Sequence, residues 1–385
     1  MSEKNKQWLL LFLLMAGAVT VVGQLYAMLP LVAALAVQWG VAPSQAAWAG
    51  SVFGLAYAVG FLLLGRLSDR YGRRTVVLCS LLATALASVL VASAMSFGMF
   101  LGARALQGLV ASAFPPVALA LVAEMLAEGR RAWGISLMSF AFLAAAPLSQ
   151  FLAVSFADLG LVLITLILAL AYMLLALALS RVLPVGKRKA ASDFLAPVAV
   201  SPWRQRELWG VWLAALTVLF AFVSFQGAVL AMGLSAADQQ GLRLLGLPSL
   251  LLSVAAVRLV QKVGAGTTAR VGMVLAALGL VAGTAGSFWW LVLASIVVSA
   301  GTALAIPGLI GTVAGCTEPG VRAQAMSVYS FFLFAGASIA PPVTQALQAY
   351  SGRWSLVLPA FALLCAAAFN GLAFFHPSLS KQTYS

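Results

Sequence analysis

Ionisable chemistry is scarce in this 385-residue chain, which has nine Asp and Glu, one histidine and three cysteines. A lone histidine, His376, supplies neither a multi-His metal site nor the base of a triad inside an apolar body. Cys79, Cys316 and Cys365 stand apart, with no CxxC or Cys/His spacing. Neither a disulfide framework nor a metal centre is therefore expected. With no cluster of His, Cys or acids near one position, the sequence predicts neither an enzyme nor a bound cofactor. Charged residues are 8% of the chain and hydrophobic ones 63%, whereas a soluble domain is about a quarter charged.

What the chain does have is apolar runs of about 20 residues, the length that crosses a bilayer core as a helix. Lipid admits only helices and closed barrels. The runs are continuous rather than alternating, so the expectation is an all-α membrane protein. Twelve spans are read, at 8–28, 45–64, 75–93, 99–122, 132–154, 161–180, 208–232, 242–259, 270–285, 289–313, 323–347 and 355–375. Lys4 and Lys6 precede the first run as in a signal peptide. That run continues too far and lacks a small-x-small end, so a retained span is expected.

The net charge of +13 is explained by topology. With twelve spans and both termini inside, all Lys and Arg except Arg104, Arg243 and Arg353 fall on the cytoplasmic side, as basic loop residues do. No basic stripe with interleaved aromatics exists, so nucleic acid is not an expected partner. The bilayer and a small molecule are, with the chain acting as a monomer. The basic, proline-bearing segment 181–207 separates the spans six and six. It is read as a cytoplasmic linker between halves 1–180 and 208–385, with a short amphipathic helix near 193–200.

The halves repeat. GRLSDRYG at Gly65 aligns with VRLVQKVG at Val257, RAWGISLMSF at Arg131 with RAQAMSVYSF at Arg322, and Pro115 with Pro307, each at 191 or 192 residues. APLSQ at Ala146 has a looser echo in APPVTQ at Ala340. A parallel repeat of two six-span halves places a substrate site between them near the midplane.

GRLSDRYGRR resembles the loop signature of the major facilitator superfamily between its second and third helices. RALQG, from Arg104 to Gly108, is similar to a signature of proton-coupled exporters in that family. The resemblance implies two pseudo-symmetric six-helix bundles in a bacterial-type inner membrane. It also implies alternating access, and a drug:proton antiporter driven by the proton gradient. It makes Asp69 a latch to the eleventh helix, with Arg70, Arg73 and Arg74 as partners and anchors, and Gly65 and Gly72 as the turn. Glu124 and Arg131 extend that network. Gln261 stands where Asp69 would repeat, so the latch is asymmetric. AAAPLSQ departs from the exporter pattern on the fifth helix: Pro147 stays, the paired glycines are gone, and Gly134 is the nearest remnant.

Arg104 lies one or two turns inside its span, where a cation costs roughly 2.5–3.5 kcal/mol on insertion scales and needs a wet cavity or a partner. Snorkelling to the outer interface is the alternative. Further cavity candidates are Gln24, Tyr26, Tyr57, Gln107, Gln150, Phe225, Gln226 and Tyr329, a largely apolar set suited to an amphipathic organic molecule. No acid falls deep inside a span. Coupling then uses Asp69 or Glu124, or the substrate's own charge against Arg104, or is absent. An unpaired cavity arginine favours neutral or anionic substrates. The expected function is efflux, and the alternative is import or facilitation of an anionic metabolite or siderophore.

Overall fold

The computed structural model describes residues 3–65, 67–184, 206–317 and 319–373, and among them all regular structure is helical. Among the described residues eleven helices are long and apolar enough to cross a membrane: Lys4–Ala27, Pro43–Leu64, Arg73–Ala92, Phe97–Met125, Trp133–Ser155, Ala157–Val182, Leu208–Ala231, Ala237–Val263, Ala265–Gly283, Phe288–Cys316 and Val321–Gln348. The helix Trp354–Ala373 completes twelve. They are spans 1 to 12 below. The segment 185–205, including the helix expected near 193–200, lies outside the described residues.

The apolar side chains explain the arrangement. Span 6 turns Val162, Leu166, Leu170 and Leu174 outward, while its Thr165, Tyr172 and Leu179 are buried against the bundle. Exposed Trp8, Tyr71 and Trp133 gather at one end of the bundle. Trp48, Trp289, Trp290, Tyr350 and Trp354 gather at the other, the belt positions of amphipathic rings.

Span 1 packs on span 5, span 3 on spans 4 and 6, span 9 on spans 10 and 12, and span 7 on spans 11 and 12. The halves meet on two sides, through span 2 against span 11 and span 5 against span 8. Glycine makes the first contact close. A side chain at Gly54 would overlap the side chains of Ser338 and Leu25, and one at Gly65 would lie 2.6 Å from Ser327 Oγ.

The internal repeat has structural counterparts. Gly72 opens span 3 at φ +86, ψ 148, and Gly264 opens span 9 at φ +89, ψ 153. That region strains any residue with a Cβ. Arg131 Nε donates to the Leu126 carbonyl, five residues back, at 3.2 Å. Arg322 Nη2 does the same to the Thr317 carbonyl at 3.2 Å. Each arginine satisfies a carbonyl at the C-terminal end of the preceding span, where the helix dipole favours a cation.

Three features depart from the sequence expectation. An eight-residue helix, Val32–Trp39, lies between spans 1 and 2 where only a loop was expected. It buries Leu35 and Ala36, and Trp39 packs against Phe97 and Phe100 at 6.4 and 5.6 Å between ring centres. Span 4 is interrupted after Ala111 and resumes at Phe114, ahead of Pro115. Span 8 is broken more severely: a helix Ala236–Gly246, a 3₁₀ turn Pro248–Leu251, then a helix Leu252–Val263. Pro248 lacks the N–H that a continuous helix needs.

Candidate functional site

Arg104 sits on span 4 with no solvent exposure. Its Nε donates to the Ala49 carbonyl at 3.2 Å, and Nη1 to Gln24 Oε1 at 3.0 Å and Gln107 Oε1 at 2.6 Å. Nη2 donates to the Gln24 carbonyl at 2.7 Å. The guanidinium also lies 4.5 Å from the centre of the Phe53 ring. Gln107 in turn donates to Ser88 Oγ at 2.7 Å on span 3. Spans 1 to 4 are thus tied by one side chain and its relay. Arg104 is not the unpaired cation that its sequence position suggests, because neutral oxygens of its own bundle accept four of its five N–H donors. Tyr172 on span 6 adds a bond from its hydroxyl to the Thr20 carbonyl on span 1 at 2.8 Å.

At the contact of spans 2 and 11 the halves meet through aromatic rings. Tyr57 lies edge-on to Phe334 at 4.9 Å and Phe61 stacks on Phe334 at 5.4 Å. Such pairs are worth about 0.5–1.5 kcal/mol beyond their buried area. The Tyr57 hydroxyl is buried and unpaired.

At the contact of spans 5 and 8, Arg243 Nε donates to Gln150 Oε1 at 3.1 Å. This bond crosses between the halves. Ser295 of span 10 donates to the Leu242 carbonyl at 2.8 Å, and a side chain at Gly246 would lie 2.6 Å from Ser295 Oγ. Those contacts hold the first segment of span 8 against span 10 while Arg243 faces span 5. Both partners are buried, Arg243 at 3% exposure and Gln150 at 1%. Arg243 Nη1 and Gln150 Nε2 have no hydrogen-bond partner.

Other candidates scatter. Gln226 and Tyr26 are buried. Phe225 turns toward Gly283 of span 9, where its ring would lie 3.6 Å from an added Cβ, so it packs inside its own bundle rather than across the seam. Tyr329 precedes Gly336 by seven residues and shares its helix face. Gly336 abuts the Leu216 backbone of span 7. The Tyr329 hydroxyl is buried and unpaired on that inner face. Pro147 is buried within the span 5 helix, next to the Ala145 and Ser149 positions that meet Gly23 of span 1.

At the end of the bundle carrying the Gly65 loop, Arg73 pairs with Glu124 at 3.2 Å, bringing the ends of spans 3 and 4 together. Arg73 also bonds Ser68, and Arg74 donates to the Ser180 carbonyl at 2.7 Å. Arg70 lies over the Tyr71 ring at 5.3 Å. Asp69 is on the short helix Leu67–Tyr71, and its side chain lies outside the described residues. With 52% of the Glu124 side chain exposed, water screens the pair. Glu124→Gln is expected to lower stability by no more than about 1 kcal/mol, a thermal-unfolding measurement in detergent. A larger loss would mean that the pair holds this end of the bundle together.

Among the described residues no group of His, Cys, Asp and Glu could hold a metal ion. Glu124, Glu128 and Asp158 are exposed, and Asp238 forms a local cap with Ser235. The buried charges with described surroundings are thus two cations, one saturated and one not. The sequence marks Gln150 as a cavity candidate and offers Arg243 only as a basic residue outside the topology rule. The available signal was Gly246-Leu-Pro248, a helix breaker within one turn of an arginine.

Spans in two like halves, closed about a buried seam, define a multi-pass membrane transporter. The Major Facilitator Superfamily profile matches residues 9–256 and 242–383, and the chain belongs to that family. A Bacillus subtilis protein provisionally named as a niacin/nicotinamide transporter is 35% identical over 130 residues, 33% of this chain and 32% of that protein. The puromycin resistance protein of Streptomyces alboniger is 37% identical over 89 residues, 23% of this chain and 18% of that protein. The chain therefore spans about a third or less of these relatives' lengths. The crystal structure of the human organic anion transporter MFSD10 superposes with a TM-score of 0.68 at 20% identity, covering 96% of this chain and 99% of that one. At that identity the likeness is one of fold.

Proposed function

We propose that this protein exports a small amphipathic organic molecule by alternating access, driven by the proton gradient. Halves 1–180 and 208–385 rock about the seam in a bacterial-type inner membrane, joined by the linker 181–207, with both termini cytoplasmic. The observation that carries this reading is the seam. It is aromatic and glycine-closed on one side, through Tyr57, Phe334 and Gly54. On the other it is polar and incompletely satisfied, through Arg243 and Gln150. A crevice that opens there exposes an apolar wall and a few donors, which suits such a molecule. In this reading Asp69 latches the halves from the Gly65 loop, with Arg73 and Glu124 beside it.

The resistance function in one relative's name favours efflux. The buried and incompletely paired Arg243, with no buried carboxylate among the described side chains, favours the second reading, import or facilitation of an anionic metabolite. Proteoliposomes with the protein in known orientation separate them. Radiolabelled puromycin and nicotinate are the probes, under an imposed pH gradient. Export predicts gradient-dependent movement out of the cytoplasmic compartment, and Asp69→Asn lowers it at least ~10-fold, the scale of a gate held by about 1.4 kcal/mol. Flux of neither probe, or flux indifferent to the gradient, overturns the coupled-export reading.

A further inference from the structure

We infer that Arg243 and Gln150 form an anion subsite, and that the transported molecule is an organic acid whose carboxylate docks there between spans 5 and 8. The inference rests on the seam being the substrate path. Burial of an unpaired polar group is costly, and burial of a charge more so, unless a partner compensates. Arg243 has one hydrogen-bond acceptor, Gln150 Oε1, for a guanidinium with five donors. Its Nη1 is unpaired, and so is the amide nitrogen of the same Gln150. The guanidinium fixes the glutamine's orientation, because only the amide oxygen can accept from Nε–H. The amide N–H groups are thereby left over.

What is missing at this place is therefore acceptors. A carboxylate supplies two oxygens and a negative charge, and guanidinium is the side chain whose fork suits it. A cation would gain nothing here, and a neutral hydroxyl or amide oxygen would fill one acceptor place without offsetting the charge. The comparison with Arg104 is internal to the molecule. That arginine is equally deep in a span, yet neutral oxygens satisfy it. It has little left to offer a ligand. The break in span 8 adds to the case. Gly246 and the Pro248–Leu251 turn interrupt the helix one turn beyond Arg243, and discontinuous helices at the repeat interface mark ion and substrate sites in transporters. The other inter-half contact, between spans 2 and 11, carries Tyr57, Phe61 and Phe334 beside Ser327 and Ser338, so an acid with an apolar body suits the seam.

The test uses the full chain in detergent. Thermal unfolding is followed with benzoate, salicylate and nicotinate, each against its amide. The acids are expected to raise the midpoint of the wild type and the amides are not. Arg243→Met is expected to unfold at a higher temperature than wild type without additive, because relief of a buried charge with no counter-ion outweighs the Gln150 Oε1 acceptor left without its donor, and to lose the response to acids. Arg243→Lys keeps the charge but not the fork, so it should retain a response with affinity reduced ~10- to 100-fold. Gln150→Leu should weaken the response without abolishing it.

A structural tie would give the opposite sign, with Arg243→Met less stable than wild type. That result, a wild type that no acid stabilises, or an equal effect of the amides overturns the assignment. Acid binding that needs Arg243, without flux in proteoliposomes, leaves the subsite and removes the transport reading. Flux that ignores Arg243 does the reverse.

Discussion

Arg104→Ala is expected to destabilise the protein by about 3 kcal/mol or more, measured as a fall in unfolding midpoint and in denaturant resistance. The physical reason is the set of acceptors left behind. Gln24 Oε1 and Gln107 Oε1 each receive a bond from Nη1 in a pocket without water access. An orphaned buried acceptor costs roughly 1–3 kcal/mol. The Gln24 and Ala49 carbonyls lose a second donor as well. Removing the cation's own desolvation returns part of this, since a buried charge is held at a cost. Arg104→Lys should recover only a fraction, because one ammonium cannot reach spans 1, 2 and 4 in the directions that the guanidinium does. Gln107→Leu tests the same cluster from its other end, as it also breaks the bond to Ser88. Transport should fall with folding yield and not independently of it. An Arg104→Ala protein with wild-type stability and abolished flux would make Arg104 a ligand residue instead.

The two arginines show where sequence stops informing. Arg104 lies inside an apolar run and Arg243 at the start of one, and hydropathy says nothing of what either side chain meets. Their difference lies in what other spans bring to them. Gln24 and Gln107 converge on Arg104 from spans 1 and 4, and only Gln150 reaches Arg243. That is a matter of which helices neighbour which, and no local pattern encodes it. Local patterns did encode the spans, because a bilayer forces every crossing segment to be apolar for its whole length. They also encoded the repeat, since Gly72 and Gly264 are held at positive φ by the same turn. Span 8 reads as one helix because its hydropathy is continuous across the break. Aromatic type says nothing about which helix face Phe225 or Tyr329 occupies, so the sequence alone does not show that Phe225 turns toward Gly283 of its own bundle. Charge counting carries no signal for the helix Val32–Trp39, whose Gly40 stop at φ +61 is its one clear marker.

Gly54→Ala is expected to cut transport roughly 5-fold or more by opposing the closure of spans 2 and 11. A Cβ at this position overlaps the Ser338 side chain across the seam and Leu25 Cδ1 within the same half. Overpacking of this kind costs about 1–3 kcal/mol. The Ser338 share falls only on states in which spans 2 and 11 are closed, so it acts on the conformational equilibrium. An energy of 1–3 kcal/mol corresponds to a population shift of roughly 5- to 150-fold. Spin-label distances between spans 2 and 11 should lengthen in the variant, and overall stability should change less than flux does. The second substitution separates the two contacts. Ser338→Gly in the Gly54→Ala background removes the contact across the seam and leaves the one to Leu25, so it should restore most of the closed population and part of the flux. If the double variant behaves like Gly54→Ala alone, the loss arises within the first bundle. The glycine then shapes the packing of span 1 on span 2 and does not govern the approach of the halves.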